Sequence, residues 1–236
     1  MKKKILVICA VVLLLALVSF GTLAYFSDST EPVKNTFTVG SVKIQQLEQQ
    51  HDAQTGELEE FEQDQTLLPV INVTDPQNDE NYVEKLVTVK STGKNPCYVR
   101  THIAVPTALE QVLTLDLSAS GNWQPVSYAN QPTQVIDGVQ YTIYSFTYTQ
   151  ALEKDQTTDV LLQGVYMNAN VDLQDNNGVM QFCTWNDQTG SFDFYDYAVG
   201  EKVHVLVASQ AVQSQGFADA ASALDSAFPD VPDFNG

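Results

Sequence analysis

The sequence predicts a mainly β protein, an antiparallel two-sheet sandwich or jelly roll with short helices, including one near the C-terminus. Three observations predict it. Beyond residue 35, apolar residues recur at every second position in segment after segment, the period of a half-buried strand. Clusters of Gly, Pro, Asn and Asp punctuate those segments at short spacing. The period lengthens only near the end, where Phe217, Ala221, Leu224 and Phe228 fall on one helical stripe.

Taken in order, residues 37–44 (FTVGSVKI) alternate, with a phase slip at Gly40 that marks a bulge or bend. Residues 48–66 are acidic and Gln-rich and read as an exposed hairpin tip or loop turning at Thr55-Gly56. Residues 72–81 place Pro76 among Asn and Asp and read as a second loop. Lys85–Lys90 and Cys97–Val105 form the clearest strand pair, joined by the turn formers of 91–96. In the second of these, Cys97, Val99, Thr101, Ile103 and Val105 share one face, and Tyr98, Arg100 and His102 the other. Thr107 and Glu110 have capping-box spacing, which predicts a short helix at 107–114.

Strands resume at 123–128. Asp137-Gly138 is a tight-turn signal ahead of 139–148, whose two partly apolar faces predict a central strand. Residues 159–168 give another strand, 172–178 a turn-rich loop, 180–185 and 192–197 short aromatic segments, and 202–208 a late strand. A helix over 215–227 would dock its stripe on a sheet. Pro229 and Pro232 end it and leave 229–236 as a tail.

The amino terminus reads as an export signal. Lys2, Lys3 and Lys4 form a positive start, 5–20 an apolar core, and Thr22 and Ala24 the small residues before a cleavage site at Tyr25. The apolar run is shorter than the ~20 residues of a spanning helix. A retained anchor and a lipoprotein signal are the competing readings, and Cys9 sits too early in the run for the second. The expected organisation is a signal peptide at 1–24, an extended segment at 25–36, a domain at 37–228 and the tail.

Charge excludes one class of partner. The chain carries 11 Lys and Arg against 29 Asp and Glu; beyond residue 24 the bases fall to eight and the net charge to −21. Such a chain repels nucleic acid and anionic lipid, so no nucleic-acid partner is expected. Solubility explains the acidity, with divalent cation binding as the functional alternative. Cys97 and Cys183 remain after export, either as one disulfide or as two buried thiols.

No catalytic signature stands out. His-Glu-x-x-His, the Gly-x-Ser-x-Gly elbow and a phosphate loop are all absent. The three histidines, His51, His102 and His204, are far apart in sequence, and a shared metal would need His102 and His204 to face each other. Asp175, Asn177 and Gly178 have part of a calcium-loop order without its flanking acids, and read as an ordinary Asn/Gly turn. Asn72-Val-Thr74 fits a glycosylation sequon. No catalytic residue, metal or cofactor is expected.

One stretch carries a resemblance. Gly21-Thr-Leu-Ala-Tyr-Phe-Ser-Asp-Ser-Thr30, followed by Asn35, Phe37, Thr38, Gly40 and Val42, resembles the signal peptide and mature start of the family of TasA and camelysin. These are biofilm matrix proteins of Gram-positive bacteria. Glu84-Lys85-x-Val87-x-Val89 through Tyr98-Val-Arg100, and Ala211-Val-Gln213 to Phe228, look like later parts of the same family. The resemblance implies cleavage before Tyr25 by a dedicated signal peptidase, a jelly-roll fold, and self-assembly into extracellular fibres, with an accessory fibre protein as a further partner. It also implies donor-strand complementation, with a donor at Tyr25–Lys34 that includes Phe26 and Val33. Tyr25 and Phe26 at a free terminus would each contribute roughly 1.5–3 kcal/mol if buried in a neighbour's groove. Pro32 would limit the added strand. The alternatives are that Tyr25 and Phe26 serve only the peptidase, or that they fold back on their own domain. The alternatives for the protein are a monomeric adhesin using Tyr144, Phe146 and Tyr148, or a camelysin-like metalloprotease. Those aromatics are expected to pack under the C-terminal helix.

Overall fold

The computed structural model describes residues 41–198 and 203–235, and Ser27–Ser29 by backbone alone. The expected signal segment 1–24, Tyr25, Phe26, and residues 30–40, with Val33 among them, lie outside the described residues. The protein is mainly β, and its named strand ladders are antiparallel.

The strands are β1 (Ser27–Ser29), β2 (Ile44–His51), β3 (Leu58–Glu60), β4 (Val83–Glu84), β5 (Leu86–Ser91), β6 (Cys97–Pro106), β7 (Leu113–Leu117) and β8 (Trp123–Pro125). They continue with β9 (Thr133–Ile136), β10 (Val139–Leu152), β11 (Leu162–Met167), β12 (Val171–Asn176), β13 (Val179–Asn186), β14 (Ser191–Ala198) and β15 (Leu206–Gln213). One α-helix follows, α1 (Ala220–Ala227).

The main sheet runs β1-β15-β6-β10-β8, with β9 also on β10. Three smaller sheets run β3-β2-β5, β4-β11-β7 and β12-β13-β14. One core cluster joins all four: Val99, Ile103 and Val207 from the main sheet meet Val87 and Val89, Leu162 and Met167, and Val171 and Phe182. Burying each large side chain contributes about 1.5–3 kcal/mol, so this shared layer is the main source of stability.

The opposite face of the main sheet is also covered. Phe234, 4% exposed, packs with Ala104, Ile143 and Ala208, while Ala220, Ala223 and Leu224 of α1 pack on Val212. The expected tail at 229–236 therefore docks through its described part. The Gln134 amide donates to Pro232 O at 2.8 Å and accepts from Phe234 N at 3.1 Å.

Several sequence expectations need correction. The two strands read as a pair do not pair with each other: β5 joins β2, and β6 lies between β10 and β15. The 91–96 turn is thus an arch between two sheets. Gly93 shows how tight it is, because a Cβ there would lie 2.0 Å from Ser41 O. The helix at 107–114 is a single 3-10 turn, Thr107–Leu109, followed by β7. The capping-box side chains find other partners: the Thr107 hydroxyl shares a hydrogen bond with Thr142, and Glu110 accepts from Tyr144.

The turn-rich loop at 172–178 is strand up to its end. Asn177 (φ 57°) and Gly178 (φ 88°) make the two-residue turn between β12 and β13. Asp137 (φ 49°) and Gly138 (φ 84°) do the same between β9 and β10, as expected of that dipeptide. The late strand starts at Leu206, later than its valine alternation indicates. The helix starts at Ala220, where Asp219 accepts from Ser222 N at 2.8 Å and caps it.

Candidate functional site

The feature that bears most on function is the β15 edge of the main sheet. β15 is buried along Val207–Val212, and its inner side pairs with β6 over the whole strand. On its outer side lies β1, with Ser27 opposite Val212, Asp28 opposite Ala211 and Ser29 opposite Gln210. β1 belongs to the segment expected as a donor, and its described residues pair within their own chain, as the fold-back alternative expects. Three residues of ladder are few, and among the described residues β1 meets no other named strand.

Polar groups fix this edge from both faces of the sheet. On one face Ser209 shares a hydrogen bond with Thr101 at 3.0 Å and donates to Gln46 Oε1 at 2.9 Å. The Gln46 amide then donates to Val207 O at 3.1 Å and to Glu48 at 2.8 Å. Gln46 thereby caps a backbone acceptor of β15 beyond the end of β1. On the other face Gln210 Oε1 lies 3.0 Å from His102 Nε2. A one-residue slip of β15 would turn Ser209 and Gln210 to the wrong faces and strand buried polar groups, so its register is strongly specified.

His102 is the centre of that second network. It is 1% exposed, and its Nδ1 sits 2.7 Å from Ser145 Oγ, which accepts from Tyr128 at 2.8 Å. Burial pushes the imidazole down to about 4. A serine, a histidine and an amide in line resemble a nucleophile relay. Ser145 is only 3% exposed, so a substrate has no access, and the arrangement acts as a buried tie between β6, β10 and β15. Beside it Arg100, 4% exposed, donates to Thr147 at 3.1 Å and pairs with Asp225 of α1 at 2.5 Å.

The two candidate disulfide cysteines are free thiols in different sheets. Cys97 in β6 points to Ser91 Oγ at 3.7 Å, and Cys183 in β13 to Asp172 O at 3.6 Å. Burial pushes the Cys97 thiol up to about 11. The other histidines are apart from His102: His51 faces Glu84 at 2.9 Å, and His204 is exposed. Among the described residues no three His, Cys, Asp or Glu side chains come together in a way that could hold a metal ion. Carboxylates cap loops instead, as when Asp79 accepts from the amides of Ile71, Asn72 and Asn81. The partial calcium loop is the β12–β13 turn, where Asp175 accepts from Gly178 N at 3.1 Å.

Tyr144, Phe146 and Tyr148 lie on the inner face of β10, opposite Ile103, Thr101 and Val99. They do not pack under α1, which covers the other face. Tyr148 instead stacks tilted on Trp123 with ring centroids 5.0 Å apart. Among the described residues the exposed aromatics are Trp185 and Phe194 on the β13–β14 hairpin, with Phe192 between them, 5.1 Å from Trp185 and 6.4 Å from Phe194. Alternation in 180–185 and 192–197 could have identified this group.

Thr22, Ala24, Tyr25, Phe26 and Val33 lie outside the described residues. Among the described residues no helix is long and apolar enough to cross a membrane. No protein-family model, curated protein or solved structure matches the chain.

Proposed function

We propose that this protein is a secreted structural subunit, freed from its signal peptide before Tyr25, that assembles with copies of itself into extracellular matrix fibres by strand donation. The observation that carries the reading is the seating of β1 on the β15 edge. A strand held by three register pairs within one chain can make the same pairs with the β15 of another copy, because the interface is identical in both cases. Strand addition to a preordered edge takes its affinity from main-chain bonds and its fit from side-chain pockets. The networks through Ser209 and Gln210 support this, since they hold β15 in one register for an incoming strand. Reading the body as a jelly roll, the peptidase as a dedicated one and an accessory fibre protein as a partner rests on the family resemblance.

The test uses protein with an authentic Tyr25 terminus, viewed by electron microscopy. Filaments are expected, and deletion of residues 25–34 should leave monomers. Filaments that survive the deletion would end the strand-donation mechanism. A second reading, a monomeric adhesin, draws on the exposed Trp185 and Phe194. Monomeric mature protein that is retained on cell-wall polysaccharide, and loses retention on Trp185→Ala, would favour it. The reading is non-catalytic; bound zinc together with casein cleavage by the pure protein would replace it with a metalloprotease.

A further inference from the structure

Among the described residues the lysines that are not buried gather at one end of β2, and the densest run of acids lies at its other end, with the remaining acids spread along the chain. Of the eight bases beyond residue 24, Lys85 and Arg100 are buried and paired with Glu48 and Asp225. Lys34 and Lys202 lie outside the described residues. The other four, Lys43, Lys90, Lys94 and Lys154, gather at one end. Lys43 directly precedes β2, and Lys90 in β5 stands opposite Gln45. Lys94 lies in the arch, its amide bonded to Ser41 O at 2.7 Å. Lys154 is brought there by Asp155 N, which donates to Ser91 O at 2.8 Å, and by the bridge between Lys90 and Thr157. Lys154 is paired with Asp155 at 3.8 Å on the surface, and Glu153 beside it offsets more of this charge.

β2 carries the chain roughly 25 Å from that end to the other. There residues 48–64 hold seven acids and no Lys or Arg. Glu57, Glu59, Glu60 and Glu62 of the β2–β3 arm are exposed. Two opposite charges at the two ends of one strand cannot meet within a single copy. They meet readily between copies.

We propose that the lysine end of one copy docks on the acidic β2–β3 arm of a second copy. The proposal deepens the fibre reading and rests on it. A contact between two different patches of the same molecule does not close on itself unless the rotation closes, so it propagates as a chain. The net charge of −21 makes most other approaches repulsive, which leaves the lysine end as the face on which a neighbour is tolerated. The same end holds the start of β1. Ser27 pairs with Val212 near the end of β15, and Ser214 just beyond donates to Pro96 O at 2.9 Å, beside Lys94 in the arch.

Charge-swapped copies of the protein starting at Tyr25 test this. One variant carries Lys43→Glu, Lys94→Glu and Lys154→Glu. The other carries Glu57→Lys, Glu59→Lys, Glu60→Lys and Glu62→Lys. All seven sites are exposed, and thermal melts check that both fold. Each alone should need roughly tenfold more protein to assemble at low salt, read by sedimentation. An equimolar mixture should assemble to within about threefold of wild type, and the differences should vanish near 1 M salt, where screening acts over about 3 Å. The mixture is the decisive readout, because salt also screens the net repulsion between wild-type copies. A mixture no better than its components overturns the proposal. So does a lysine variant that assembles like wild type while losing retention of inorganic polyphosphate, which would make the occupant an anionic polymer. Normal fibres from both variants, with none from the 25–34 deletion, sink the charge contact and keep strand donation. Co-assembly of the variants that persists in the deletion background keeps the contact and sinks strand donation.

Discussion

Mild acid should weaken this fold through His102 before it acts through the carboxylates. The imidazole is buried between β6, β10 and β15, bonded to Ser145 and Gln210, with the Arg100 guanidinium further opposing its protonation. In the native state burial pushes it down to about 4, against 6.5 for the free side chain. Below 6.5 the unfolded chain takes up a proton that the native protein refuses. Stability therefore falls with pH by about 1.4 kcal/mol per unit, and levels off once the native imidazole also titrates. The loss amounts to about 2 kcal/mol by about pH 5 and about 3 kcal/mol by about pH 4. Asp79 and Asp159, whose hydrogen bonds hold them below the usual carboxylate range, add their losses at lower pH. Urea unfolding of wild type and His102→Gln at about pH 7, 6 and 5 isolates the histidine, because every other group cancels between the two proteins. The wild type should lose about 2 kcal/mol more than the variant over that interval. Parallel pH profiles would refute the reasoning and mean that water or a local opening reaches the imidazole.

Gly93→Ala should destabilise the protein by roughly 2–4 kcal/mol, since its Cβ would lie 2.0 Å from Ser41 O; a denaturation midpoint equal to wild type would contradict this. Phe234→Ala should cost about 3 kcal/mol through the emptied site over Ile143, measurable as a drop in the urea midpoint with unchanged slope. Native mature protein should leave both thiols unreacted with an aromatic disulfide reagent, and denatured protein should titrate two, because Cys97 and Cys183 are buried and unbridged. Asp225→Ala should cost about 1–2 kcal/mol, discounted because Asp225 is mostly exposed, by leaving the buried Arg100 short of its counter-charge.

The strands that were legible in the sequence are those whose alternation is unbroken. β6 and β10 were readable because both faces of each carry β-branched or aromatic residues, and Asp137-Gly138 set the start of β10. What was not legible is which strands pair. Ser91 and Cys97 sit six residues apart, a spacing that suits a hairpin, yet the arch sends β6 to partners far along the chain. Local pattern records the faces of a strand and says little about its neighbours. The short helix at 107–114 failed for a related reason, because Tyr144 and Thr142 of β10 take the side chains that would have capped it. At the candidate site, the segment 25–34 stands out in the sequence for its aromatic start and its resemblance. Its seat does not, because Ser209 and Gln210 are ordinary polar residues in the sequence and acquire meaning only against Thr101 and His102. The charge division was hidden for the same reason, since Lys43, Lys94 and Lys154 are brought together only by the fold.

β15 joins β1 to β6, and it is among the last strands that a ribosome would deliver. Every pairing along its length spans a separation of about a hundred residues or more, so loop closure makes these contacts late and slow to form. Until then the amino-terminal segment has no seat and β6 keeps one raw edge. A nascent polypeptide of this layout stays threadable for most of its synthesis, and truncation ahead of Leu206 should yield sticky, unfinished sheets in place of a smaller stable domain.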